Sequence, residues 1–224
     1  MSDMIRSTAP TSPTSPGEVH AYAIDSFNHF SYQFLTALAE KYTGTTFGDA
    51  FRDKQLQYDL AITHNHNKNA AMKKKEELVS TFYKQMHSHF AEIQSGDISK
   101  LRDVEFVQNL GVAKVLDLND DDTNEAVRDF LKQMVESCIL WSVYSKIPAG
   151  LLTTIGTAAQ TLQDNGGAPD QMDMATISQS MFNNINTNDI QQFATNMLQN
   201  QDAFQDLCAL ASNSLSQMQM PKAA

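Results

Sequence analysis

Six histidines and two cysteines are the residues of this 224-residue chain that most often bind metal ions in proteins. His64 and His66 lie two positions apart in a polar segment, and His87 and His89 lie two positions apart in a predicted helix. Helical residues two positions apart point about 200° apart, so His87 and His89 cannot bind the same ion. Neither pair has a cysteine or a carboxylate at ligand spacing. The pattern predicts surface histidines, no metal site and no cofactor.

The clustered charges predict structural roles. Asp120–Asp122 lack the alternating ligands, central glycine and final glutamate of a calcium-binding EF-hand loop, and they favour capping of the helix that follows. Lys73–Lys75 are followed by Glu76 and Glu77, which indicates a helix surface whose charges compensate each other. The alternative for these lysines is a small patch that binds phosphate or nucleic acid.

Composition and motifs argue against two functional classes. The chain has 16 basic and 26 acidic residues and a net charge of −10, which opposes the counterion displacement that sequence-independent nucleic-acid binding requires. It contains no nucleophile elbow, phosphate-binding glycine loop or spaced catalytic triad. We therefore expect no enzyme activity and no general affinity for nucleic acid. Cys138 and Cys208 fall on predicted apolar helix faces, which predicts two buried free thiols.

The strongest helical pattern lies between Asp122 and Lys146. Asp122, followed by Glu125 three residues later, is typical of a helix N-terminus, and Pro148 predicts the end of the helix. Apolar residues recur at three- and four-residue spacing in a stripe made of Val127, Phe130, Leu131, Met134, Cys138 and Trp141. A stripe of this width predicts burial, with Trp141 in the core.

Helical periodicity also dominates the rest of the chain. Ser15 and Pro16 predict the start of a helix that runs to about Tyr42, and Gly96 and Gly111 predict helix ends. Further helices are predicted over residues 47–62, 70–93, 98–110 and 150–163, with a helical turn or short strand over 112–121. In the helix over 47–62, the residues predicted to face inward are Phe47, Phe51, Leu56 and Leu60. The predicted fold class is all-α, a bundle of about five or six helices with a C-terminal appendage of short helices.

Composition divides the chain into four segments. Residues 1–15 are rich in Ser, Thr and Pro, which predicts a disordered arm. Residues 16–163 form the predicted bundle, and residues 164–170 read as a linker of Gly and Pro. Residues 171–224 form an acidic tail rich in Met, Asn and Gln, with the pattern of three short helices. From residue 147 onward there is one basic residue against six acidic ones.

Three stretches carry a resemblance to a known group of proteins. They are FSYQFLTALAEKYTG (residues 30–44), the segment from Lys73 to Gly111, and CILWSVYSKIP (residues 138–148). Over about residues 27–148 the chain resembles uncharacterised helical proteins of large DNA viruses that infect algae and amoebae. The resemblance implies a small, virus-encoded helical protein that is a candidate for packaging, and it supplies no active site.

The tail carries a second resemblance, over residues 188–213. This stretch is similar to the short helical repeats of ubiquilin-type co-chaperones, although Gln201 replaces the proline of that pattern. The repeat implies a methionine-rich groove that accepts apolar helices. The candidate groove residues are Phe193, Met197, Leu198, Phe204 and Leu207. The alternative is an amphipathic helix pair that packs on the bundle.

These observations favour a non-enzymatic structural or protein-interaction protein with a protein partner. The resemblance to viral proteins implies that it is associated with the virion. The alternative function is a chaperone-like adaptor that binds apolar helical segments through the tail. The N-terminus lacks the apolar core of a secretory signal, and the run over residues 147–162 is too short and polar to span a membrane. We therefore expect a location in the host cytoplasm or the virion, without secretion.

Overall fold

The computed structural model describes residues 10–63, 68–118, 120–154, 157 and 186–218. Every regular element in these ranges is helical, so the predicted all-α class is confirmed for them. Most of the predicted arm, the linker over 164–170 and the first predicted helix of the tail lie outside the described residues.

Nine α-helices are assigned in the described ranges. In chain order they are α1 (Pro16–Lys41), α2 (Thr46–Thr63), α3 (Lys68–Met86), α4 (Phe90–Ser95), α5 (Glu105–Leu110), α6 (Val112–Asp117), α7 (Asp121–Tyr144), α8 (Thr187–Gln199) and α9 (Gln201–Met218). Residues 149–154 are also helical, at the start of the helix predicted over 150–163.

The chain forms two compact units. The first, which we call the N-terminal unit, is built on Ala21–Cys138. The second, the C-terminal unit, is built on Ser12–His20 together with the described residues from Ile139 onward.

Several helix ends follow the predicted chemistry. α1 begins at Pro16, whose ring fixes the first helical φ and removes a backbone N–H that would have no helical partner. α4 ends at Gly96, where φ is +84°, and α5 ends at Gly111, where φ is +80°. At Gly96 the N–H groups of Gly96 and Asp97 donate to the carbonyls of Ile93 and Glu92, which is the paired arrangement that a glycine in this conformation permits.

Two helices that the sequence predicts as continuous are interrupted, so these predictions are wrong. A 3₁₀ turn, His87–His89, separates α3 from α4. A second 3₁₀ turn, Ser99–Asp103, precedes α5, and Val104 between them is extended, with φ −74° and ψ 125°. The apolar pattern continues across both breaks, because Phe90 directly after the first turn and Leu101 within the second turn are buried. Hydrophobic periodicity alone therefore does not reveal the two 3₁₀ interruptions. Within the ambiguous stretch over 112–121, Val112–Asp117 is helical as α6.

The cap of α7 is Asp120, so the prediction of Asp122 is wrong. The Asp120 carbonyl accepts the Asn124 N–H at 2.9 Å, and its Oδ2 accepts the Thr123 hydroxyl at 2.5 Å. Thr123 then occupies the third helical position, where a capping side chain normally bonds. Three consecutive aspartates offer three equivalent caps, and the sequence pattern does not choose among them.

Phe82 lies at the centre of an aromatic cluster that joins four helices of the N-terminal unit. The centroid of its ring is 5.1 Å from that of Phe27 in α1, 5.0 Å from that of Phe106 in α5 and 6.2 Å from that of Phe90 in α4. Tilted and edge-on pairs at these distances add to the stabilisation from burial. The buried phenylalanines of α1 and α3 therefore form walls of the core.

The buried stripe of α7 differs from the predicted one. Trp141 and Phe130 are only half-buried, so the prediction that Trp141 lies in the core is wrong. α7 carries two adjacent apolar stripes, and the stripe that is buried is mainly aliphatic. Its buried members are Val127, Leu131, Met134, Val135, Cys138, Ile139 and Val143.

The buried face of α2 includes polar residues that periodicity of apolar residues misses. Phe51 and Ile62 are buried, and Gln55 and Tyr58 occupy the positions between them on the same face. Leu56 and Leu60, which were expected to face inward, are exposed, and Leu56 is 57% exposed. A stripe that includes an amide and a phenol has the correct spacing of three and four residues, but its hydrophobicity is too low to stand out.

A buried amide explains why α2 presents Tyr58 inward. Asn28 of α1 is 4% exposed, and its Oδ1 accepts a hydrogen bond from the Tyr58 hydroxyl at 2.6 Å. Its Nδ2 donates to the carbonyl of Ile24 at 2.7 Å and to that of Lys75 in α3 at 3.2 Å. Burial raises the pKa of the Tyr58 phenol above its ordinary value, so the phenol stays a donor. One side chain thus links three helices.

We expect Tyr58→Phe to lower the free energy of unfolding by about 1–3 kcal/mol, because Asn28 Oδ1 loses its donor while it stays buried. The double variant Tyr58→Phe/Asn28→Leu should recover part of this loss, because it removes the unsatisfied acceptor. Urea denaturation of the wild type, the two single variants and the double variant measures the loss in free energy of unfolding and its recovery. Additive losses in the double variant would contradict the proposed link between the two side chains.

Candidate functional site

The C-terminal helix pair, α8 and α9, contains all five candidate groove residues. The Asn186 side chain accepts the N–H of Asn188 at 2.9 Å and so caps α8. Asn200 joins the two helices, because its N–H donates to Met197 and its carbonyl accepts the N–H of Phe204. Two of the three predicted tail helices are thus found in the described residues.

Three of the candidate groove residues face inward within the C-terminal unit. Met197 is buried with Val143 and Ala203, and Phe193 and Leu207 pack against this cluster. Tyr144 and Ile147 also pack there, so the inner stripe of the helix pair rests on the end of α7 and the residues that follow it. These three residues anchor the helix pair and do not line an open groove.

Polar contacts hold α8 in the same place. The Asn196 side chain donates to the Lys146 carbonyl at 3.0 Å, and the Asn200 side chain donates to the Asn196 carbonyl at 2.8 Å. The carboxylate of Asp189 lies so close to Gly150 that a Cβ on this glycine would collide with it. Gly150 therefore permits the approach of α8 to the helical segment over 149–154.

The other two candidate residues face outward. Leu198 is 86% exposed and Phe204 is 50% exposed, on either side of the Asn200 joint. Ile190 of α8 is also exposed and lies about 80° from Leu198 around the helix axis. We call Ile190, Leu198 and Phe204 the outer apolar face. Such residues on a helix pair whose inner stripe is already packed are available for contact with another molecule.

The two cysteines differ in exposure. Cys138 is fully buried in the N-terminal unit, where its Sγ lies 4.0 Å from the Val79 carbonyl. Cys208 is exposed on α9, four residues after Phe204, so the prediction that it is buried is wrong. Both are free thiols, as expected. Cys208 occupies an apolar position of the helical pattern that lies beside the packed stripe.

The predicted charged candidates are mostly paired with carboxylates. Lys74 lies 3.0 Å from Glu77, and Lys75 lies 2.6 Å from Asp25 of α1. The hydrogen bond from Lys74 lowers the pKa of Glu77. Two of the three lysines of the proposed phosphate patch therefore already have anionic partners.

The histidine pair at the 3₁₀ turn has separate surroundings. His87 packs against Tyr83 with ring centroids 4.7 Å apart, whereas His89 Nδ1 lies 2.7 Å from Glu92 Oε2. The hydrogen bond from His89 lowers the pKa of Glu92. The described residues contain no group of three or more histidine, cysteine or acidic side chains arranged to hold a metal ion.

Asp120 is the most strongly perturbed charged group at the start of α7. Besides Thr123, its carboxylate binds Lys41 at the end of α1, with 2.6 Å between Nζ and Oδ2. The hydrogen bond from Lys41, and then that from Thr123, lowers the pKa of Asp120 to about 2. The same carboxylate therefore caps α7 and ties it to α1.

We expect Asp120→Asn to lower stability at neutral pH, because Asn keeps a capping oxygen but loses the charge that binds Lys41. The contribution of the ionised carboxylate is complete above its ordinary pKa of 3.8 and is lost as the pH falls through about 2. The difference in urea midpoint between the wild type and the variant should therefore shrink over this interval.

Asp129→Asn is the matched control, because Asp129 is an exposed acid of the same helix. Its effect on the urea midpoint should be small at every pH. If the difference in urea midpoint between the wild type and Asp120→Asn stays constant down to pH 2, the charge of Asp120 does not hold α7 to α1.

No helix in the described part of the chain has the length and apolar character needed to cross a membrane. No family model, curated protein or solved structure matches the chain. The resemblances to viral helical proteins and to co-chaperone repeats therefore stay predictions, as does a location in the host cytoplasm or the virion.

Proposed function

We propose that this protein is a non-enzymatic interaction protein that binds a basic amphipathic helix of a partner protein on its outer apolar face. The observation that carries the proposal is the exposure of Leu198, a large aliphatic side chain that is 86% exposed although neighbouring Met197 is buried. Leu198, Phe204 and Ile190 together offer apolar anchors of the kind that bind an amphipathic helix.

The charge of the helix pair favours a basic partner. Asp189 and Asp202 are the acidic residues in the first turns of α8 and α9, and no lysine or arginine occurs in residues 186–218. Asp189 and Asp202 lie on the sides of their helices away from Leu198 and Phe204, so the net negative charge of the helix pair attracts a basic partner at long range and does not form ion pairs at the outer apolar face. Such complementarity raises association rates and favours this partner over an acidic one.

The contacts of the inner stripe support binding to a preformed surface. Because Phe193, Met197 and Leu207 already pack within the C-terminal unit, the helix pair is held in place before a partner arrives. A preformed surface avoids part of the ordering cost that a disordered segment pays on binding. The proposal keeps the adaptor function that the tail pattern predicts but moves its contacts to the outward residues.

The probe for this proposal is a synthetic amphipathic helix of about five turns, made of leucine on one face and lysine on the other. We expect it to bind the full-length protein in a fluorescence anisotropy titration, and Leu198→Ser/Phe204→Ser to weaken binding at least about tenfold, or about 1.4 kcal/mol. Leu56→Ser is the matched control, because it removes an exposed leucine from the N-terminal unit.

Alkylation of Cys208 provides a second readout of the same binding. The peptide should slow the reaction of Cys208 with a maleimide, because this thiol lies one helical turn from Phe204. Cys138 is fully buried and serves as the internal reference. Equal binding by a peptide of the same composition without an apolar face, or equal weakening by Leu56→Ser, would refute the proposal.

A further inference from the structure

An apolar pocket of about 140 Å³ lies within the N-terminal unit, where α1, α2, α3, α5 and α7 meet. Aromatic rings line it from α1 and α5, and they belong to Phe27, Phe34 and Phe106. Leucines of α1, α3 and α5 and the thioether of Met134 in α7 supply further apolar walls. The lining is therefore of the kind that contacts hydrocarbon groups.

The polar side chains of the lining, Ser31 and Tyr58, already use their hydroxyl protons. The Ser31 hydroxyl donates to the Phe27 carbonyl at 2.8 Å, and the Tyr58 hydroxyl donates to Asn28 Oδ1 at 2.6 Å. None of the described residues that line the pocket carries a charge. A charged ligand would lose its hydration here without gaining a counterion, so the pocket disfavours ions.

Water is a poor occupant of this pocket. A buried water molecule typically forms about three hydrogen bonds, and the lining side chains offer it only two hydroxyl oxygens as acceptors. Apolar cavities of about 150 Å³ lined by leucine, isoleucine and phenylalanine stay dry and bind benzene. An apolar occupant of the pocket would gain dispersion contacts without displacing tightly held water.

The pocket has a buried floor and a side that lies nearer to solvent. Phe27, Phe34 and Met134 form the floor and are each 2% exposed. Leu78 of α3 and Leu110 of α5 are half-buried and mark the side nearer to solvent. A small molecule that enters from this side reaches the aromatic floor without separation of the helices that carry it.

We propose that this pocket binds a neutral, apolar small molecule of about the size of benzene. The ligand contacts the aromatic rings of α1 and α5 and the Met134 thioether, which both interact favourably with an aromatic ring. The site uses only residues of the N-terminal unit and does not depend on binding at the outer apolar face.

The experiment titrates the full-length protein with benzene and with pyrimidine, a ring of the same shape whose nitrogen atoms are well hydrated in water. The NMR signal of the isotope-labelled Met134 methyl group, identified by its loss in Met134→Leu, reports occupancy through the ring current of the ligand. We expect a saturable shift with benzene, with a Kd of about 1 mM or below, and binding of pyrimidine that is at least about tenfold weaker. The methyl signal of Met197, which is buried in the C-terminal unit, is the internal reference and should not move.

Leu78→Phe and Leu110→Phe should each weaken benzene binding at least about tenfold, because the larger side chain occupies part of the pocket. Leu60→Phe is the matched control, because it makes the same substitution at a leucine of the same unit that is 45% exposed and lies outside the lining. Urea denaturation checks that each variant is folded. The two pocket substitutions lie on different helices, so one stays informative if the other perturbs the fold.

Four results would overturn the proposal. The first is a Met134 methyl signal that benzene leaves unmoved up to its solubility limit. The second is pyrimidine binding as tight as that of benzene, since apolar character would then not select the ligand. The third is a benzene-induced shift of Met197 without one of Met134, which would place the ligand in the C-terminal unit. The fourth is benzene binding that both pocket substitutions leave unchanged or that Leu60→Phe weakens equally.

Discussion

The N-terminal unit depends on the need to satisfy one buried amide. Asn28 is almost fully buried, so both of its amide hydrogens and its oxygen need partners inside the protein. Those partners lie on α1, α2 and α3. Asn28 can form all of these hydrogen bonds only when the three helices adopt one mutual arrangement. Apolar contacts among phenylalanines tolerate small sliding movements, whereas a hydrogen bond of 2.6 Å to Tyr58 does not. The amide thus favours the packing in which all of these partners are present.

The same logic operates with charge at the C-terminal end of α1. Lys41 is the last residue of this helix, and Asp120 precedes α7 by one residue. A cation at a helix C-terminus and an anion at a helix N-terminus are each favourable by themselves, and here they also bind each other. The pairing therefore joins two helix ends that are far apart in sequence.

How far the sequence predicts this structure depends on whether a feature is local. Helix ends at Pro16, Gly96 and Gly111 follow from the conformational preferences of single residues, and these predictions are confirmed. On α2 the sequence pattern correctly predicts that Phe51 is buried but is wrong for Leu56 and Leu60, because Tyr58 turns inward to a hydrogen-bond partner 30 positions away. In the tail, periodicity correctly marked Phe193 and Met197 as members of one apolar stripe, but it could not assign that stripe to a core or to a partner. A pocket of about 480 Å³ beside the first turns of α7 could not be predicted from the sequence, because Arg102 and Arg128, which both line it, lie on segments that only tertiary packing brings together.

The uneven distribution of basic residues has a consequence for how the protein responds to proteases. Trypsin cleaves only after lysine and arginine, and after Lys146 the next such residue is Lys222. The stretch between them, with the outer apolar face inside it, stays in one piece in a tryptic digest whether it is folded or unfolded. Resistance of this stretch to trypsin thus carries no information about its packing. Chymotrypsin, which cleaves after large apolar residues such as Phe204 and Leu198, is the protease whose cleavage rate reports whether that face is covered.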